Sequence, residues 1–140
     1  MGYVIGIDPD SDKHGVAVYN DGRLTELVMA SRREVVMLAL SNQAELHIEN
    51  VLANDYVYSR NEQSSKKAQC KVALHVGRCQ QAQVELMRDL DEVGIRYVLY
   101  RPQSGNWSKN KAYFERITGW TGKSNEDTRS AAYFGFLGLK

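Results

Sequence analysis

The strongest constraint on this chain is its opening. Tyr3-Val4-Ile5-Gly6-Ile7-Asp8-Pro9 is followed by a short polar loop and then by His14-Gly15-Val16-Ala17-Val18-Tyr19. Four successive residues of the first run can bury, which reads as a strand covered on both faces. Asp8 stands where that strand ends. A carboxylate at the carboxyl end of a central strand faces the crevice in which open α/β sheets place ligands. Asp-Pro also opens ordinary turns, so this stretch alone leaves a ligand site and a turn both open.

The next segments extend the same pattern. Asn20-Asp21-Gly22 is a hairpin signal, and Arg23 to Met29 forms a third strand, so the chain begins as an antiparallel meander. Ser31 with Glu34 makes a capping box for a helix whose apolar face is Val35, Val36, Leu38, Ala39 and Leu40, stopping near Asn42. Ala44 to Glu49 is the fourth strand. Leu46 and Ile48 share one face, and Glu45, His47 and Glu49 the other. A helical crossover makes this strand parallel to the first. If the two are neighbours, Asp8 and Glu49 lie side by side.

Residues 50–61 form a loop unusually rich in apolar and aromatic side chains. From Glu62 to Val93 the pattern is helical, with Ala68, Val72, Val76, Cys79, Leu86, Leu90 and Val93 near a 3- and 4-residue spacing. Gly77 marks close packing or a break, and Gly94 is the C-cap. Ile95 to Tyr100 is a fifth strand, stopped by Pro102. Lys109 to Ile117 is a short helix ended by Gly119, and Glu126 to Leu137 a last helix that turns Ala131, Ala132, Phe134 and Leu137 inwards.

With 140 residues the chain is expected to form one domain, 1–140, that buries about two-thirds of its unfolded surface. No apolar run approaches the ~20 residues needed to span a bilayer. The start lacks the basic segment and long apolar core of a signal peptide, so a cytoplasmic protein is expected. Cys70 and Cys79 are nine residues apart in one expected helix. That is ~13 Å along its axis, too far for a disulfide. They read as packing residues, His14 and His47 as hydrogen-bonded structural residues, and His75 as a helix-surface residue. Trp107 and Trp120 flank the short helix, and either suits the core.

The net charge of +1 hides an asymmetry. Residues 1–59 hold four bases against nine acids, a balance of −5; residues 60–140 hold fourteen bases against eight acids, +6. A half that gathers carboxylates beside a half that gathers bases suits metal and polyanion binding together. A solvated basic helix face is the plainer alternative.

Motifs along nearly the whole chain resemble the RuvC-type Holliday-junction resolvases of the ribonuclease H-like superfamily. Gly6-Ile7-Asp8-Pro9 with Gly15 resembles the family's first motif. Glu49 is similar to its second acid, and Asp127, opening Asp-Thr-Arg-Ser-Ala-Ala, to its last. Gly77-Arg78 with Ala82, and Tyr100 with Pro102, also resemble the family. The resemblance implies an α/β ribonuclease H-like fold, a central five-stranded mixed sheet whose first three strands are antiparallel, flanked by helices. It implies cleavage of phosphodiesters in branched DNA, a four-way junction, by a two-metal mechanism. Asp8, Glu49 and Asp127 would hold two Mg²⁺ or Mn²⁺ ions, with Asp8 bridging both. No small-molecule cofactor and no membrane are expected. A homodimer built on the long helix would place two sites for symmetric cuts.

The resemblance further suggests Lys109 and Lys111 as catalytic cations near the scissile phosphate, where a cation stabilises developing charge. Lys66, Lys67, Lys71 and Arg78 are candidates to follow a phosphate backbone. Tyr56 and Tyr58 are candidates to stack on bases at the junction centre. Two departures stand out. The glycine after Asp-Pro is Asp10, which reads as an exposed loop acid, and the expected acid three residues after Asp127 is Ser130. Glu126 is about 100° from Asp127 round a helix. The rival readings are a ribonuclease H-like nuclease acting on structured RNA and a catalytically weak nucleic-acid-binding module.

Overall fold

The computed structural model describes residues 2–53 and 65–139. Its elements in order are β1 (Tyr3–Asp8), β2 (His14–Asn20), β3 (Arg23–Ala30), α1 (Arg32–Asn42), β4 (Glu45–Glu49), α2 (Lys66–Val93), β5 (Tyr97–Tyr100), α3 (Lys111–Thr118) and α4 (Glu126–Leu137). Short 3₁₀ turns occupy Val51–Ala53 and Trp107–Lys109. The five strands form one mixed sheet in the order β3-β2-β1-β4-β5. β1 runs antiparallel to β2, and β2 to β3, while β4 lies parallel to both β1 and β5. This is the α/β arrangement the sequence implies.

The alternation of β1 and β4 divides the molecule into layers. Ile5, Ile7, Leu46 and Ile48 point to one face and pack with Val35 and Ala39 of α1 and with Leu86 and Leu90 of α2. On the other face Ala17 and Tyr19 meet Ala131 and Ala132 of α4, Phe114 of α3 and Trp107. Gly6 lets α4 lie close against β1: a Cβ there would collide with the Ala131 carbonyl and stand 2.6 Å from the Gly135 amide nitrogen. The Tyr19 hydroxyl donates to the Ala132 carbonyl at 2.6 Å and ties β2 to the same helix.

The helix ends follow local chemistry. Ser31 and Glu34 form the capping box of α1, which ends at Asn42 with Gln43 left-handed at φ 50°. Ser65 caps α2 and Gly94 closes it at φ 74°. Asn125 and Thr128 form a reciprocal cap on α4, which the sequence reading did not identify.

Several boundaries and faces depart from expectation. The helix expected from Lys109 is interrupted, because the side chain of Asn110 caps a new helix by accepting from the Tyr113 amide at 3.0 Å. Lys109 therefore belongs to the preceding 3₁₀ turn. β5 starts at Tyr97, since Gly94 and Ile95 close α2. Residues 62–64, expected to open the long helix, lie outside the described residues. The stripe expected along α2 is buried only at its C-terminal half, where Leu86 and Leu90 reach the sheet. Val72 and Val76 are half-buried, and Val93, the last residue of α2, is exposed. Gly77 neither packs closely nor breaks the helix.

Candidate active site

The site is assembled from the carboxyl ends of β1 and β4 and the first turn of α4. The register Gly6↔His47 and Ile7↔Ile48 carries Asp8 and Glu49 out together at the ends of neighbouring parallel strands. Both stand on the face covered by α4. Asp127, in the first turn of that helix, is brought over them. Gly15 pairs with Asp8 across β1 and β2. A Cβ on Gly15 would lie 2.5 Å from the Asp127 carbonyl oxygen, so the missing side chain is what lets α4 start there.

The electrostatics show how tightly the acids are held. The Asp8 carboxyl is pushed up to about 9, first by burial, then by the charge of Glu49, a hydrogen bond shared with Glu49, and the charge of Asp127. The Ser130 hydroxyl opposes this by donating to Asp8. Ser130 is 3% exposed, one turn after Asp127 in α4. A hydroxyl there donates a hydrogen bond to the acid cluster, where another carboxylate would add to its repulsion. Asp127 is raised by burial and by Asp10, whose carboxyl shares a hydrogen bond with it. Asp10 is half-buried, in contrast to the exposed loop acid expected. Its amide donates to Nδ1 of buried His14 at 3.2 Å, which holds the loop after Pro9. Burial lowers the pKa of His14, in keeping with an accepting, neutral ring.

Sequence reasoning missed the residues that position these acids. Gln83 of α2 is fully buried. Its Oε1 accepts from the Val51 amide at 2.8 Å, and its Nε2 donates to Asn50 Oδ1 at 2.9 Å, fixing the backbone directly after Glu49. Gln80 adds a bond to the Val51 carbonyl at 3.2 Å. Arg129, 8% exposed, donates twice to the Ser108 carbonyl, at 3.1 and 2.8 Å, and once to Ser124 Oγ at 2.9 Å. It pins the two loops that flank the start of α4. A single polar residue in an otherwise apolar helical stripe was the available signal for Gln83. The Asp-Thr-Arg run drew attention to Asp127 and away from Arg129.

The other expected residues fall as follows. Lys109 Nζ lies 2.7 Å from Glu126 Oε1, an exposed pair that holds the Glu126 carboxyl below its ordinary range. Glu126 is thus engaged by Lys109. Lys111 opens α3 and pairs with Glu115 on the same helix at 3.6 Å. Lys66, Lys67, Lys71 and Arg78 are exposed on α2, and no described residue forms an ion pair with them. Tyr56 and Tyr58 lie outside the described residues. His47 is buried between Tyr100 Oη at 2.7 Å and Glu45 Oε1 at 3.0 Å, a structural role as expected. Trp107 is core, while Trp120 is half-buried and donates to the Lys123 carbonyl.

Three half-buried carboxylates brought together at the strand ends form a hard oxygen donor set that fits Mg²⁺ or Mn²⁺. No protein-family model and no curated protein matches the sequence. Among solved structures, the chain is similar to Thermus thermophilus RuvC in complex with a Holliday junction substrate. The TM-score is 0.60 with 16% identity, covering 96% of this chain and 90% of that one. A second T. thermophilus RuvC structure matches with a TM-score of 0.56 and 15% identity, over 96% of this chain and 91% of the other. The likeness is one of fold, and the fold is ribonuclease H-like.

Proposed function

We propose that the chain is a metal-dependent endonuclease of the RuvC kind, cleaving phosphodiesters in branched DNA. The observation that carries this reading is the convergence of Asp8, Glu49 and Asp127, with Asp8 driven to about 9 by its neighbours and its burial. A protein with no use for a cation would gain stability by separating these acids. Asp8, Glu49 and Asp127 would together hold the metal. The chemistry supplied on binding is Lewis-acid activation of the phosphodiester and of the attacking water. Ser130 holds Asp8 in place by its hydrogen bond. Lys109 or Lys111 would supply a further positive charge to the departing oxygen. Lys66, Lys67, Lys71 and Arg78 would follow the phosphate backbone. Tyr56 and Tyr58 would stack on unpaired bases, and α2 would pair two copies of the chain.

The likeness to a structure solved with a junction favours branched DNA as substrate. The test is cleavage of a synthetic four-way junction with Mg²⁺ or Mn²⁺, beside linear duplex and structured RNA. Paired cuts in the junction alone are expected. Preferential cleavage of RNA would reassign the substrate. Junction binding with no cleavage in either metal would instead make the chain a binding module, the reading that Ser130 in place of an acid favours.

A further inference from the structure

We propose that Asp10, His75 and Cys79 form a second metal site, one for a borderline-soft ion of the Zn²⁺ or Co²⁺ class, at the rim of the acidic pocket. Cys79 Sγ lies 3.6 Å from Asp10 Oδ1 and 3.6 Å from His75 Nε2, and His75 Nε2 lies 3.9 Å from Asp10 Oδ1. A tetrahedral ion with bonds of about 2.0–2.3 Å spaces its ligands about 3.3–3.8 Å apart. The three atoms thus stand near the corners of one face of such a polyhedron, the widest pair needing to close by about half an ångström.

The elements explain why they meet. His75 and Cys79 are four residues apart in α2, so their side chains share one face of the helix. The loop after Pro9 brings Asp10 across to them. Its backbone is held by the amide bond to His14 Nδ1, and its Oδ1 is oriented by the Ser11 amide at 2.7 Å. His75 is well exposed and Cys79 half-buried, so the site has both a route for an ion and a wall.

The donor chemistry separates this site from the neighbouring acids. Oxygen-only Asp8, Glu49 and Asp127 suit a hard ion, whereas a thiolate and an imidazole select zinc, cobalt or similar ions and are poor ligands for magnesium. Binding replaces the thiol proton, which leaves to solvent, by a metal–sulfur bond. Asp10 joins the two sites, because its carboxyl also bonds to Asp127. With three protein ligands the fourth corner is left for water. The site does not depend on the nuclease reading, since none of its ligands is among the three acids invoked there.

Cobalt reports a thiolate ligand directly, through a charge-transfer band in the near ultraviolet. Metal-free full-length protein titrated with Co²⁺ is expected to develop that band at one equivalent, and to lose it on addition of Zn²⁺. Cys79→Ser should abolish the band, while Cys70→Ser, which changes the other cysteine of the same helix, should retain it. His75→Ala should weaken Co²⁺ binding by about tenfold or more. A large excess of Mg²⁺ should leave the band in place. Circular dichroism identical to the parent establishes that each variant is folded. Retention of the band in Cys79→Ser, unchanged affinity in His75→Ala, or its loss in excess Mg²⁺ would overturn the proposal. None of these readouts uses DNA cleavage, so a chain inert on junctions could still carry the site, and an active one could lack it.

Discussion

At the scale of single residues, the chemistry turns on how Asp8 is held. Its folded pKa, about 9, lies far above the value of 3.8 for a free side chain. A raised acid favours the folded state while protonated, so this contribution is fully present below about pH 4 and is lost as pH rises towards 9. Metal-free protein should therefore melt at progressively lower temperature between pH 5 and pH 9, and divalent ions should reverse the trend by binding the folded state. Differential scanning fluorimetry across pH, with and without Mg²⁺, measures both. Asp8→Asn should remove most of the pH dependence and raise the metal-free melting temperature at pH 8. Each kcal/mol gained is worth about 4 °C at this chain length. The same variant should bind a junction with near-parent affinity and cleave it at least about a thousandfold more slowly, since the proposed metal site would lose a ligand. Retained cleavage would remove Asp8 from the mechanism. The two lysines make a finer comparison. Lys109 is already engaged by Glu126, whereas Lys111 is held only by Glu115 on an exposed helix surface. If either serves the transition state, its change to Ala should lower turnover about tenfold or more with little change in affinity. Unchanged turnover in both would leave that role to metal alone.

At the scale of elements, the packing of α4 against the sheet decides whether a site exists. Gly6 and Gly15 give it room, the first beneath Ala131 and Gly135, the second beneath Asp127. Gly15→Ala should displace the start of α4 without unfolding the sheet, costing about 1–3 kcal/mol and weakening Mg²⁺ binding more than it lowers stability. Calorimetric titration beside a denaturant melt separates the two effects. These elements also show what was legible in the sequence. β1, β2 and β4 could be read because period-2 alternation and turn residues act locally. Asp8 and Glu49 could be read because strand ends fix their place. Asp127 was legible only through likeness to a motif, because nothing local reveals which helix end will dock on the sheet. Gln83, Arg129 and the contact of Asp10 with Asp127 were not legible. A buried glutamine, a buried arginine and a loop acid look like surface residues until a tertiary partner supplies their hydrogen bonds. The break between Lys109 and Lys111 was missed for a related reason, since Asn110 caps one helix by ending another turn.

At the scale of the molecule, charge is divided between an acidic first part and a basic remainder. Lys66, Lys67 and Lys71 open α2 with no described ion-pair partner. Changing Lys67 and Lys71 together to Ala should weaken all DNA substrates alike and reduce the slope of log affinity against log salt by about one to two units. An unchanged slope would return them to the role of solvating the helix. No helix among the described residues is long and apolar enough to cross a membrane.

The order in which the sheet is filled has one more outcome. The strands that carry Asp8 and Glu49 precede the helix that carries Asp127 by most of the chain, and that helix covers a whole face of the sheet. On a ribosome the first two acids are made early, facing a surface of Ala17 and Tyr19 that nothing yet covers. The third acid emerges only after α2, β5 and α3 have been made. The meeting of the three acids and the closing of the second hydrophobic layer arrive in a single docking event.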